Sequence, residues 1–339
     1  MKKLKIGVIG TGRIGRLHIL NMLQLPQIEI AAVSDISPEA GWQEWARSLG
    51  VAIITTDYEQ LLADKELEAV FVCSPTESHL PIVRKAAQAG KHIFCEKPLS
   101  FDPASTKEVL NEVYKAGVQL QIGFNRRFDH NFKRVRELVE QGQAGMPHLI
   151  KITSRDPYPP TETYIRSSGG LFMDMSIHDF DMARYLAASE VVEVYAKGAV
   201  LVDSVFEELG DIDTAVITLT FANGALGIID NSRKAAYGYD QRVEVFGSEG
   251  CITVSNDFSN SAEIMTEHGV HRDKPLLFFL ERYRDAFREE VIQFCSSIQQ
   301  GTPVPVSGFD GLQAERIAEA ARQSLRDGVP VRLEVMQHV

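Results

Sequence analysis

The apolar positions of the first 123 residues fall into short unbroken runs separated by amphipathic stretches. Residues 5–9, 28–34, 69–73, 91–95 and 118–123 lack period-two alternation and read as strands buried on both faces. Helical spacing fills the gaps, in the stretch ending at Leu25, in 81–89 and in 103–116, with Gly90 stopping the second. Repeated β-α-β units require a parallel sheet with helices on both faces. After about residue 123 the pattern changes. An amphipathic helix is expected at 129–141, a strand at 148–154, and a helix within 169–188. Residues 214–221 and 225–232 then form a hairpin around Ala222-Asn223-Gly224. Residues 242–246 and 251–255 form another pair around Gly247-Ser248-Glu249-Gly250. Strands in succession without helices predict a mostly antiparallel sheet. One face would pack on helices, leaving the other to bury against a second subunit. Helices at 276–300 and 309–327 close the chain.

The turn between the first strand and first helix reads Gly10-Thr11-Gly12-Arg13-Ile14-Gly15. The second strand ends on Asp35, 20 residues past Gly15. A strand, a GxGxxG turn, a helix and a distal acid together specify a dinucleotide site. Gly10 permits the tight turn, Gly12 lets the backbone approach a pyrophosphate, and Gly15 lets helix and strand pack closely. The pyrophosphate then rests on unsatisfied N–H groups at the helix N-terminus. Asp35 can accept from both adenosine ribose hydroxyls and would repel a 2′-phosphate. Ile36-Ser37-Pro38 offers no arginine for such a phosphate, so NAD is expected over NADP. The fold class is thus α/β: an N-terminal Rossmann fold over 1–123, then an α+β domain over 124–339 built on a large, mostly antiparallel open sheet. Ligands gather at the carboxyl ends of parallel strands. Ser74-Pro75-Thr76, Glu96-Lys97-Pro98 and 123–127 leave those ends, so they should face the cofactor. Arg13, Ile14, His79 and Arg127 complete the expected cofactor-binding set.

Length and charge narrow the class. At 339 residues the chain suits two domains, and 44% hydrophobic with 24% charged residues can bury ordinary cores. A net charge of −11 disfavours nucleic acid or an anionic membrane as main partner. No apolar run approaches the ~20 residues of a membrane span. Met1-Lys2-Lys3 leads directly into the first strand, leaving no room for a signal peptide. Cys73, Cys95, Cys251 and Cys295 lack paired spacing and read as free thiols in a reducing cytoplasm.

Two groups carry candidate chemistry. The Lys97 ammonium, leaving a strand end, could hydrogen-bond the oxygen of a reacting alcohol as hydride departs. Pro98 would fix the chain direction there, through a cis Lys97–Pro98 bond. Taken alone, a solvated loop lysine is an equal reading. The second group is Gly169-Gly170-Leu171-Phe172-Met173-Asp174-Met175-Ser176-Ile177-His178-Asp179-Phe180-Asp181. Asp174 and His178, spaced i, i+4, share one helix face. A carboxylate beside an imidazole orients the ring for general-base work, so His178 could take the hydroxyl proton while NAD takes the hydride. A structural Asp–His pair is the commoner occurrence of this spacing. A metal site on Asp174, His178 and Asp181 ranks lowest, and no metal is expected. Polar and aromatic residues at 154–158, 125–127 and 231–239 would suit a polyhydroxylated ring.

These motifs, in this order, resemble the glucose–fructose oxidoreductase / inositol dehydrogenase family (Gfo/Idh/MocA) over nearly the whole chain. The likeness is greatest to its bacterial inositol-oxidising members. It rests there on 123–129 (Gly-Phe-Asn-Arg-Arg-Phe-Asp), 153–157 (Thr-Ser-Arg-Asp-Pro), 178–184 (His-Asp-Phe-Asp-Met-Ala-Arg) and Asn231-Ser232-Arg233. The resemblance implies His178 as base, Asp174 as its partner and Lys97 as substrate-oxygen and relay residue. Arg127, Asp156 and Tyr237 are the further substrate contacts it implies. It also implies oxidation of a myo-inositol hydroxyl to the ketone, a cytoplasmic enzyme, and a homotetramer packed through the open sheet. The same chemistry on scyllo- or chiro-inositol or an aldopyranose is the near alternative. A non-catalytic NAD-binding regulator is the alternative of a different class.

Overall fold

Six parallel strands build the first sheet: β1 (Leu4–Ile9), β2 (Ile28–Ser34), β3 (Ile53–Thr55), β4 (Ala69–Val72), β5 (His92–Cys95) and β6 (Leu120–Ile122), in the order β3-β2-β1-β4-β5-β6. This computed structural model describes residues 3–36 and 41–336; Met1, Lys2, Ser37 and Pro38 of the sequence reading lie outside them. The strand order is that of the doubly wound dinucleotide fold, with its switch point between β1 and β4. Ile6, Val8, Phe71, Val72, Ile93 and Phe94 are fully buried, which is why these segments show no alternation. The short edge strand β3 is partly exposed and has no comparable apolar run.

The chain divides into two units, Met1–Asn125 with Asp285–Glu315, and Arg126–Arg284 with Arg316–Gln337. The sequence reading assigned everything after residue 123 to the second domain. The difference is the helix Arg284–Gln300, whose Val291, Phe294 and Cys295 complete the core around Ile6, Phe71 and Phe94. Phe294 meets Phe71 edge-on at 5.4 Å and Phe94 at 5.9 Å. Stacked and edge-to-face rings of this kind add to plain area burial. The expected helix over 276–300 is therefore two, Phe279–Arg282 and Arg284–Gln300, broken at Tyr283 (φ −111°) where the units divide.

The second unit carries β7 (Pro147–Arg155), β8 (Val191–Ala199), β9 (Thr214–Phe221), β10 (Leu226–Ser232), β11 (Asp240–Gly247) and β12 (Cys251–Val254), followed by a separate hairpin, β13 (Glu263–Thr266) with β14 (Gly269–Arg272), and β15 (Val331–Arg332). The main sheet runs β12-β11-β7-β10-β9-β8-β15. Only β7 and β10 pair in parallel, so the expected mostly antiparallel sheet is present. The turn between β9 and β10 is closed by Phe221 N–H donating to Ala225 O at 2.9 Å, with Gly224 at φ +87° as the left-handed residue. Alternation divides the two faces. Ile150, Ile152, Ile217, Leu219, Ile229, Val243 and Val245 are buried, while Val216, Leu226 and Phe246 on the other face are 51%, 53% and 47% exposed. The four cysteines are free thiols, and no helix among the described residues is long and apolar enough to cross a membrane.

Candidate active site

In the first unit the glycine turn is shaped by its neighbours. Gly10 adopts φ +98°, and a Cβ there would stand 2.6 Å from the Cys73 carbonyl. A Cβ on Gly15 would lie 2.0 Å from Gly10 O, so helix and turn close only over a bare Cα. At Gly12 the space is open, and Gly12 caps the helix Arg13–Met22 without a side chain. Asp35 Oδ2 accepts from Thr11 N–H at 2.5 Å and from Thr11 Oγ1 at 2.6 Å, tying the strand-end acid to the turn. An open backbone approach, a helix N-terminus and an acid beside it are the donor and acceptor set that a pyrophosphate and a ribose require. These residues fit NAD.

The two following strand-end turns are braced together. Ser74 and Ser78 hydroxyls lie 2.6 Å apart, and Thr76 opens a short 3-10 turn. The buried His79 ring lies 2.7 Å from Pro98 O through Nδ1 and 2.8 Å from Ser74 O through Nε2. Both ring nitrogens of His79, expected among the cofactor-binding residues, engage main-chain carbonyls of the two turns. Burial pushes its pKa down. The Lys97–Pro98 peptide is cis, as the sequence reading suggested.

In the second unit Gly169 and Gly170, at φ +81° and +83°, lead into a π-helical turn at Phe172–Ser176 and then the helix Ile177–Ala187. Asp211 Oδ1 accepts from Leu171 N–H at 3.1 Å and would stand 2.9 Å from a Cβ on Gly170. Insertions of this kind recur at functional sites because they re-aim side chains. The sequence reading put Asp174 and His178 in plain α-helical register, and the π turn replaces that register at Asp174. The Asp174 carboxylate accepts from Tyr164 Oη at 2.7 Å and from Arg233 Nη2 at 2.8 Å. Arg233, 4% exposed, also donates from Nη1 to Asp156 Oδ2 at 3.2 Å. Burial pushes the Asp156 carboxyl up, against the pull of the Arg233 charge. His178 follows Asp174 and is half-buried.

Below this turn lies a buried network. Asp179 accepts from Arg126 Nη1 at 2.5 Å and from Asn231 Nδ2 at 2.8 Å, and Ser176 Oγ donates to Asn231 Oδ1 at 2.6 Å. Two expected substrate contacts have other geometry. Arg127 grips Asp181 through Nε and Nη2 at 2.9 and 2.5 Å, with its guanidinium 5.0 Å from the Tyr185 ring centroid. That bidentate pair engages the fork expected to meet ligands, and it also occupies the Asp181 carboxylate. Tyr237 Oη donates to Asp240 Oδ2 at 2.5 Å and accepts from Arg155 Nη1 at 3.0 Å, a network separate from the one Arg233 holds. Sequence reasoning missed Tyr164 and Arg233 as partners of Asp174. Arg233 lies 59 residues away along the chain, and its only sequence signal was its place in the Asn231-Ser232-Arg233 run.

Comparison with known proteins agrees with this geometry. Residues 4–124 match the oxidoreductase family with NAD-binding Rossmann fold, and residues 132–253 match the GFO/IDH/MocA C-terminal domain. The uncharacterized oxidoreductase YrbE of Bacillus subtilis is 56% identical over 98% of this chain and 97% of its own. The myo-inositol 2-dehydrogenase of Thermotoga maritima is 49% identical over 98% and 99%. The crystal structure of scyllo-inositol dehydrogenase from Lactobacillus casei, with bound NAD(H) and scyllo-inositol, superposes with a TM-score of 0.91 at 30% identity, covering 98% of this chain and 99% of that one. The chain belongs to the GFO/IDH/MocA family of NAD-binding oxidoreductases.

Proposed function

We propose that this protein oxidises a ring hydroxyl of myo-inositol to the ketone, with Lys97, Asp174 and His178 as its catalytic set. The observation that carries the substrate is 49% identity, end to end, to a myo-inositol 2-dehydrogenase. NAD, when bound, accepts the hydride from the carbinol carbon. His178 takes the hydroxyl proton, Lys97 stabilises alkoxide character on the same oxygen, and Asp174 orients the exchange of that proton. Arg233 and Tyr164 hold Asp174, so a ring hydroxyl would meet a carboxylate already fixed in direction. The bound scyllo-inositol of the Lactobacillus relative favours scyllo-inositol as the second reading.

The residues 1–123 and 124–339 remain the proposed nucleotide and substrate domains, with Asp285–Glu315 returning to the first. The half-exposed apolar positions Val216, Leu226 and Phe246 support burial of the open sheet face in a homotetramer. Free thiols support a cytoplasmic enzyme. The experiment that tests the substrate is NAD reduction by the purified protein across a panel of myo-, scyllo- and chiro-inositol, glucose and xylose. The highest kcat/KM is expected with myo-inositol. A preference for an aldopyranose, or no turnover with any polyol, overturns the reading.

A further inference from the structure

We propose that His18 and Glu290 are positioning residues that, with Glu96, form a buried proton-holding cluster fixing the turn from which Lys97 projects. The Lys97 half of this rests on the polyol oxidation proposed above. His18 lies three residues beyond Gly15 on the helix Arg13–Met22, and its Nε2 is 2.7 Å from Glu96 Oε1. Glu290, on the helix Arg284–Gln300, brings Oε1 to 3.9 Å from the same nitrogen. His18 and Glu290 are fully buried. Neither Glu290 oxygen, nor His18 Nδ1, has a hydrogen-bond partner among the described residues. The rings of Phe94, Phe71 and Phe287 stand 5.0, 5.5 and 6.0 Å from the imidazole and keep the cluster dry. Room for the Glu96 carboxylate comes from Gly123, where a Cβ would stand 3.0 Å from it.

The ligand atoms of His18, Glu96 and Glu290 all lie within 4.8 Å of one another. Two carboxylates that close in a dry site do not both ionise. Glu290, with neither carboxyl oxygen hydrogen-bonded among the described residues, is the one that keeps its proton. Burial and the Glu96 charge both push the Glu290 carboxyl well up. The other titratable groups facing the cluster are the Cys73 and Cys95 thiols, held neutral mainly by burial, and the His79 ring, whose pKa burial pushes down against the Glu96 charge. Because Lys97 follows Glu96 by one peptide, what anchors the Glu96 carboxylate anchors the lysine. Ionising Glu290 would set a second charge against Glu96 and loosen that anchor. The raised acid makes the sign definite: the cluster is intact below the raised value and is lost as pH rises through it.

The test compares the wild type with Glu290→Gln and Glu290→Met in kcat–pH profiles, NADH binding and infrared difference spectra. Glu290→Gln mimics the neutral acid. It should keep kcat at pH 7 within about 2-fold and move the alkaline limb upward by about one pH unit or more. Glu290→Met should lower kcat about 10-fold with NADH affinity within about 3-fold, the split expected of a positioning defect. The wild type should show a protonated-carboxyl C=O band that Glu290→Gln lacks. An unchanged pH profile in Glu290→Gln, a missing band, or normal kcat in Glu290→Met overturns the proposal. Should Glu290→Met fail to fold, the Glu290→Gln profile decides. If the wild type oxidises no polyol, the Lys97 role falls with that reading, while the infrared band still decides where the proton sits.

Discussion

Arg233 donates from Nη2 to Asp174 Oδ2 at 2.8 Å, and the same guanidinium reaches Asp156 from Nη1 at 3.2 Å. One buried cation therefore holds two acids that the sequence alone put in separate roles. Removing it leaves two neighbouring carboxylates uncompensated, a loss of about 3–5 kcal/mol for a buried pair. Arg233→Met should lower kcat/KM for the polyol about 100-fold while NADH affinity stays within about 3-fold. Arg233→Lys should recover only part, because an ammonium cannot serve both acids with a planar fork. Steady-state kinetics with a parallel NADH titration checks this, and kcat/KM within 3-fold of wild type in Arg233→Met would remove Arg233 from the site.

Gly12 and Gly15 should fail differently. A methyl at Gly12 meets open space, whereas one at Gly15 meets Gly10 O at 2.0 Å. Gly12→Ala should leave Tm within about 2 °C and weaken NADH binding about 10-fold or more, since the methyl stands where the pyrophosphate must approach. Gly15→Ala should lower Tm by several degrees, because the helix N-terminus must move away from Gly10 O. Differential scanning fluorimetry with NADH titration separates the two; equal Tm losses would contradict the assignment.

The Asp35 carboxylate is fixed by Thr11, and its proposed role is to repel a 2′-phosphate by charge. Asp35→Ser should raise kcat/KM with NADP and lower it with NAD, changing the preference by about 100-fold or more. A wild type that uses the two nucleotides equally would sink the selector role.

Glu315 gives a pH signature in stability. It is buried, accepts from Ser100 N–H at 3.0 Å, and burial pushes its pKa up to about 8. The folded chain then holds a proton that an unfolded glutamate releases near its ordinary value of 4.5. Stability from this group is full below about pH 4.5 and is lost as pH rises through about 8. Glu315→Gln should therefore raise Tm by about 3–6 °C at pH 9 and change it little at pH 5. A constant difference across that range would refute it.

The glycine turn and Asp35 were legible because their logic is contained in one β-α-β unit, where spacing is geometry. The open sheet was legible from strands without intervening helices. Three features were not. Val191–Ala199 has neither an unbroken apolar run nor clean alternation, so β8 left no mark. The return of Phe294 to Phe71 and Phe94 joins residues 223 and 200 apart, and periodicity carries no partner information. At Asp174 a π turn broke the assumed 3.6 period, and the Arg233 contact came from a distant strand end. The carbonyl partners of His79 were hidden for a related reason: they come from two separate turns.

The central claim is that His178 takes the proton as a ring hydroxyl of myo-inositol gives up hydride. The most direct measurement is NADH formation from myo-inositol by wild type and His178→Ala, with the NADH dissociation constant measured on both. The account predicts wild-type turnover and a loss of about 1,000-fold or more in kcat for His178→Ala, with the dissociation constant within about 3-fold. Turnover by His178→Ala within 10-fold of wild type would contradict it.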